Sequence, residues 1–259
     1  MKSIDPQDMK RLPGIALKDS DRFRFRCHKG LSCFNQCCRN LNLFLYPYDV
    51  LRLRKRLNLD SEQFLDRHVD VVLREGNHFP DVLLRMADNV SKTCPFLSAQ
   101  GCTVYPDRPD TCRTFPVEHG LLFSGRPGEE KIVSFFRPPD FCQGQHEDQE
   151  LTRAQWAEDQ DAVVHNRMTA RWASIKDLFR QNPWGPEGVN SPKGKMAFMT
   201  AYNIDRFRDF VFESSFLKRY RIKKTLAKKL RASDHELLLF GFEWIQYFVW
   251  GLPSKNIRA

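Results

Sequence analysis

The chain has 259 residues, 41% of them hydrophobic and 28% charged, with a formal net charge of +9. That balance belongs to an ordinary globular protein of one large domain or two small ones, able to bury a core without cross-links. Eight cysteines are too sparse for a small disulfide scaffold, yet all of them fall between Cys27 and Cys142.

In chain order, residues 1–20 have no sustained periodicity and are expected to wrap the surface or fray. Arg22, Phe23, Arg24, Phe25 and Arg26 alternate with the period of a strand that has one buried face. Pro47 suits a first helical position, and Val50, Leu53 and Leu57 make a stripe ending near Asn58. Asp60 with Gln63 opens a second short helix. Residues 82–86 and 131–136 read as strands, the latter following a turn at Gly125 to Gly128. Four prolines in residues 94–116 argue against long regular elements there. Beyond about residue 149 helical signals dominate. Thr152 with Gln155 is a capping box, and Trp156, Val163, Met168, Trp172, Ile175 and Phe179 recur at helical spacing up to Asn182-Pro183. A second helix is expected over residues 195–220. A third opens on another capping box, Ser233 with Glu236, and ends at Gly251-Leu252-Pro253. The fold class expected is α+β: an irregular cysteine-rich metal-binding domain with short strands and helices over residues 20–148, and an all-helical region over 149–259 packed on it.

The N-terminus has no apolar run before Cys27, and the apolar stretch 237–250 is short for a membrane span and carries Glu243. A cytoplasmic protein without a transmembrane segment is therefore expected. Clustered thiols in a reducing compartment point to metal binding, redox chemistry or core packing. The first group, Cys27, Cys33, Cys37 and Cys38, has short loops whose closure costs little entropy, with Gly30 and Asn35 easing the turns. Adjacent side chains diverge, so one of Cys37 and Cys38 is expected to face a second site or the core. The second group is Cys94, Cys102, Cys112 and the more distant Cys142, with prolines fixing the backbone around the first three. Pro109 and Asp110 place Cys112 near a helix start, where a thiolate is favoured. Arg26, Lys29, Arg39, Arg108 and Arg113 lie close in sequence to these thiols. They would offset the negative charge of a thiolate-bound metal, and solvated surface charge is the alternative for each.

These residues resemble a known family. The CxxxCC ending of the first group, the CPFL element, C-x2-Y-x2-RP-x2-CR-x-FP and a later single cysteine are similar to the YkgJ-type cysteine-cluster family, described as zinc- or iron-chelating. The likeness covers roughly residues 22–146. A more distant likeness to the cysteine domain of flagellin lysine N-methylases implies an iron-sulfur cluster and S-adenosylmethionine chemistry. The Cys27-x5-Cys33 gap is longer than the usual two residues. All eight cysteines are candidate ligands. An iron-sulfur cluster of 4Fe-4S type is the favoured cofactor, with zinc as the alternative, since all-cysteine ligation suits either while paired C-x2-C knuckles are missing. Phe23, Phe25, Phe34, Phe96, Phe115 and Phe141 would shield such a cluster, or are simply core.

No HExxH, Walker or GxGxxG pattern occurs, and neither His28 nor His119 sits in a recognisable catalytic arrangement, so no catalytic residue is assigned. Lys218, Arg219, Arg221, Lys223, Lys224, Lys228, Lys229 and Arg231 concentrate positive charge, with Ile222, Leu226 and Leu230 as a narrow apolar stripe. A docking face for nucleic acid or another polyanion, an acidic protein or an anionic membrane, and a solvated charged face, both fit. The function expected is electron transfer, sensing or cluster-supported catalysis, possibilities that extend to methyl transfer. The alternative is a zinc-braced module whose basic helix engages nucleic acid.

Overall fold

A computed structural model of the chain describes residues 2–5, 7, 9–122 and 131–258. The turn expected at Gly125 to Gly128 lies outside the described residues. The elements in chain order are β1 (Lys2–Ile4), β2 (Ile15–Leu17), β3 (Arg22–Arg24), α1 (Pro47–Arg56), α2 (Ser61–His68), β4 (Val69–Val72), β5 (Asp81–Leu84), β6 (Leu97–Ser98) and β7 (Gly101–Cys102). There follow α3 (Asp110–Thr114), β8 (Val117–Leu122), β9 (Lys131–Phe136), β10 (Glu150–Thr152), α4 (Arg153–Asp159), α5 (Ala162–Leu178), α6 (Pro192–Tyr202), α7 (Ile204–Glu213), α8 (Phe216–Arg219), α9 (Lys224–Ala232) and α10 (Asp234–Trp250). Helix makes up 49% and strand 16%, with the strands short and in small sheets, so the fold is α+β with a helical C-terminal region.

The chain forms two compact units, each assembled from two stretches: Met1–Phe44 with Leu84–Ser174, and Leu45–Leu83 with Ile175–Ala259. In the first, a four-stranded sheet has the order β1-β8-β9-β2, with β1 parallel to β8 and the other pairs antiparallel. The absence of periodicity in residues 1–20 predicts no regular structure there. Instead β1 and β2 give both edges of this sheet, because backbone pairing satisfies their polar groups without an amphipathic pattern. The alternating strand is β3, with Phe23 and Phe25 buried and Arg22 and Arg24 exposed. It pairs with β10 antiparallel, Phe23 opposite Leu151. Phe23, Phe25, Val117, Phe136, Cys142 and Trp156 form one buried cluster.

In the second unit α10 packs against α1, α6, α7 and α9. Eight of its residues are buried, among them Leu237, Leu238, Phe240 and Ile245; each such side chain contributes about 1.5–3 kcal/mol on burial. Of the capping box expected here only the Ser233 half forms, its Oγ accepting from the amide of Glu236 at 3.3 Å, and the helix ends at Gly251, whose φ of 65° suits a left-handed cap. Glu243 holds the following turn, accepting from Ser254 Oγ at 2.6 Å and from Asn256 Nδ2 at 2.7 Å.

Two helices expected to be continuous are broken. Asp161, at φ 51°, separates α4 from α5, and the carbonyl of Gln160 at that break accepts from the buried Arg113 at 2.7 Å. Residues 195–220 divide into α6, α7 and α8, because Asn203 Oδ1 accepts from Arg206 N at 3.1 Å and restarts the helix as an N-cap.

Candidate metal centre

The site is built in the first unit from loops that carry little regular structure. After Asn35, at φ 67°, the chain makes a single turn of 3-10 helix over Gln36–Cys38. This turn fixes the adjacent pair Cys37 and Cys38. The amide of Cys94 then donates to the carbonyl of Cys38 at 2.8 Å, and Arg39 and Thr93 form an isolated β-bridge, so the two cysteine groups meet through the backbone. The Leu97 amide donates to the carbonyl of Cys94 at 3.0 Å, and Leu97 pairs with Cys102 across the β6–β7 hairpin. Cys112 sits in the short helix α3, which begins after Pro109. Near the end of β3, the amide of Arg26 donates to the carbonyl of Gly144 at 3.0 Å. A Cβ on Gly144 would lie 2.7 Å from the Arg26 carbonyl oxygen, so only glycine allows this approach.

Cys27, Cys37, Cys38, Cys94, Cys102 and Cys112 line one cavity of about 810 Å³. Cys33 and Cys142, both buried, are absent from its wall. The Cys33 sulfur accepts from the amide of Gln143 at 3.2 Å, and Cys33 and Cys142 interact with one another and with Cys27. Among the described residues, no three Cys, His, Asp or Glu side chains are grouped as a ready-made site for one ion. The six cysteines are spread over the cavity lining instead.

Of the six aromatic residues expected as shielding, Phe25, Phe34, Phe96 and Phe115 line the cavity, Phe23 lies in the neighbouring core, and Phe141 is 42% exposed. Trp156 adds to the wall; its indole donates to the carbonyl of Thr114 at 3.0 Å and its ring packs edge-on to Phe25 at 5.2 Å. In the sequence Trp156 carries a helix-stripe signal only, and Gln160 carries none.

Arg26, Lys29 and Arg108 also line the cavity. Arg108 is 7% exposed, stacks 3.9 Å from the centre of the Tyr105 ring and donates to Gln160 Oε1 at 2.7 Å. Arg113 acts on the backbone instead. It is buried and donates to the carbonyls of Pro106 at 2.6 Å and Gln160 at 2.7 Å. His28 also lines the cavity, with Nδ1 accepting from the amide of Gly30 at 3.1 Å and Nε2 lying 3.2 Å from Glu147 Oε2, which occupies both ring nitrogens.

The electrostatics follow from burial and crowding. Burial pushes the Cys94 thiol up to about 11, and also raises Cys27, Cys102 and Cys142, with neighbouring cysteines adding to the rise in each. Cys37 and Cys38 share a hydrogen bond that holds the proton on Cys37 and lowers Cys38 to about 7, with the Arg39 charge also lowering it. Partly buried soft sulfur donors, most of which resist ionising unless a positive charge arrives, fit a thiophilic metal, although Cys27 is exposed.

Residues 26–157 match the CxxCxxCC family, described as "Putative zinc- or iron-chelating domain". No curated protein and no solved structure matches the chain.

Proposed function

Because the chain belongs to the CxxCxxCC family of zinc- or iron-chelating domains, we propose that its metal is an iron-sulfur cluster of 4Fe-4S type held by cysteines of the cavity. The observation that carries this reading is that six cysteines line a single cavity of about 810 Å³. A zinc ion needs four donors converging at about 2.3 Å from one point. Thiols distributed around a volume suit a polynuclear group, whose irons are separated by sulfides.

Such a cluster supplies one-electron chemistry when bound. The chain's own residues prepare for it. Cysteine thiols give up their protons on loading, so metal uptake releases protons to solvent. Arg26, Lys29 and Arg108 offset the remaining negative charge, and Phe25, Phe34, Phe96, Phe115 and Trp156 exclude water from the wall. The role proposed is electron transfer, sensing, or cluster-supported catalysis on a protein or small substrate.

Purification without oxygen, followed by iron, zinc and acid-labile sulfide analysis, tests the reading. Equimolar iron and sulfide is the expected result; zinc without sulfide would replace it with a zinc-braced module. Cys112→Ser is expected to lower metal content and stability together. Cys33→Ser then separates two readings of the ligand set: loss of metal favours two sites using all eight cysteines, and retention favours one site with Cys33 and Cys142 outside it.

A second reading concerns the basic segment. In α9 only Leu230 is buried, while Lys223, Lys224, Lys228, Lys229 and Arg231 are exposed. Among the described residues none of these five forms an ion pair with a carboxylate. That arrangement favours a docking face for nucleic acid or another polyanion. Replacing Lys223, Lys224, Lys228 and Lys229 with Gln is expected to leave the metal in place and to weaken salt-sensitive binding to RNA or DNA. If the native protein binds neither in a salt-dependent way, these charges form a solvated face.

A further inference from the structure

The second unit contains a concavity of about 460 Å³ with a different chemistry. Helix α1 contributes Arg52 and Lys55, three residues apart and therefore on one face of the helix. Arg208 comes from α7, and Arg231, Asp234 and His235 come from the corner where α9 gives way to α10. Four cationic side chains thus meet one carboxylate.

That carboxylate is already engaged. Arg54 donates to Asp234 Oδ2 at 2.6 Å, and Arg208 Nη2 donates to Asp234 Oδ1. Arg208 also donates through Nη1 to the carbonyls of Leu230 at 3.0 Å and Arg231 at 2.9 Å, clamping the corner to α7. These bonds fix the rim. They leave Lys55 and Arg231, both exposed, without an ion pair among the described residues. The Arg231 guanidinium lies over the Phe212 ring at 4.1 Å from its centre, which orders it without neutralising it.

The start of α10 opens on the same concavity. Its first helical backbone bond runs from Leu237 N to Ser233 O, and Ser233 Oγ accepts from the amide of Glu236, so the helix begins at the rim of the concavity. The positive end of this 17-residue helix therefore adds to the field of the side chains. Buried Tyr48 and Leu51 provide an apolar floor, with the Tyr48 ring packed edge-on to His235 at 5.6 Å.

We propose that this concavity binds the phosphoryl group of a small phosphate monoester or diphosphate. A dianionic group with several acceptor oxygens matches guanidinium and ammonium donors gathered at a helix start better than a single carboxylate does. The concave shape and apolar floor suit a compact ligand, whereas a nucleic-acid backbone requires a line of phosphate contacts such as the exposed length of α9 offers.

The test is calorimetric titration of the full chain at low salt with inorganic phosphate, pyrophosphate and sulfate. Saturable binding of pyrophosphate at one site is expected, weakened roughly tenfold or more in Lys55→Gln and in Arg231→Gln, since each removes a charge-assisted contact. Both residues are exposed, so these variants are expected to fold. Lys193→Gln with Lys195→Gln, exposed on α6 and outside the concavity, is expected to bind pyrophosphate as the native protein does. Flotation with vesicles containing phosphatidic acid, against phosphatidylserine alone, identifies the source. Retention that pyrophosphate competes away assigns the phosphoryl group to a lipid, and binding of soluble pyrophosphate without retention assigns it to a free metabolite. No saturable binding into the millimolar range, or equal weakening in the Lys193 and Lys195 control, would overturn the proposal. Metal and sulfide content is independent of every arm.

Discussion

His119 lies on β8, beyond the cysteine elements, with its Nδ1 2.8 Å from Ser134 Oγ. Burial, and then the charge of Arg153, lowers its pKa from 6.5 to about 4. The folded protein therefore holds this histidine neutral while the unfolded chain protonates it near pH 6.5. Its contribution is present above pH 6.5, declines as pH falls and is lost by about pH 4, a change on the order of 3 kcal/mol. His119→Gln is expected to flatten the slope of stability against pH between these values, measured by denaturant unfolding of the metal-free protein. An unchanged slope would mean that the ring titrates freely in the folded state. Arg113 is a residue whose sequence position suggests a thiolate partner and whose burial gives it a mechanical role. Arg113→Lys loses the fork that spans the carbonyls of Pro106 and Gln160. A loss of about 2–3 kcal/mol is expected in the same unfolding measurement. A loss near zero would show that one ammonium serves both carbonyls.

Elements whose signal is local are legible in the sequence. Asp60 with Gln63 and Thr152 with Gln155 form reciprocal capping bonds, and Ser233 caps the amide of Glu236, because each needs only residues three apart. The strand expected over 131–136 has its observed bounds. The breaks at Asp161 and Asn203 are not legible, for two different reasons. The first is fixed by Arg113, a partner 47 residues away, and nothing in the run from Trp156 to Phe179 announces it. The second has a local signal, Asn203 before Ile204, which the continuing apolar periodicity of residues 195–220 conceals. The six-thiol wall is likewise only partly legible. Spacing singles out the cysteines, but which of them line one cavity depends on the Cys38–Cys94 backbone bond and on the Arg26–Gly144 bond at the turn after Cys142, both long-range. Gly144 belongs to that turn. Gly144→Ala is expected to push the chain around Cys142 away from β3 and to cost about 1–3 kcal/mol, read as a lower midpoint in urea. An unaltered midpoint would mean that the turn shifts without cost.

At the scale of the whole molecule, both compact units are discontinuous in sequence, so a cut that respects composition need not respect packing. Cysteines stop at Cys142, whereas the first unit continues to Ser174. Its later part supplies Trp156 and Gln160 to the cavity wall and the carbonyl that holds Arg113. Truncation after Glu150 removes those groups together with the second stretch of the other unit. It exposes Phe25 and the cavity to solvent and leaves buried apolar surface without cover. The truncated chain is therefore expected to aggregate or to lose its metal in air. Aggregation alone would not show whether the wall protects the metal, so Trp156→Ala in the full chain supplies the sharper measurement. That variant removes the indole bond to the Thr114 carbonyl and opens one side of the cavity while keeping both units. A loss of about 3–5 kcal/mol is expected, and, with the proposed cluster bound, faster bleaching of its visible absorption in air. A variant that is destabilised but bleaches at the native rate would assign Trp156 to the core alone and leave exclusion of oxygen to the phenylalanines of the wall.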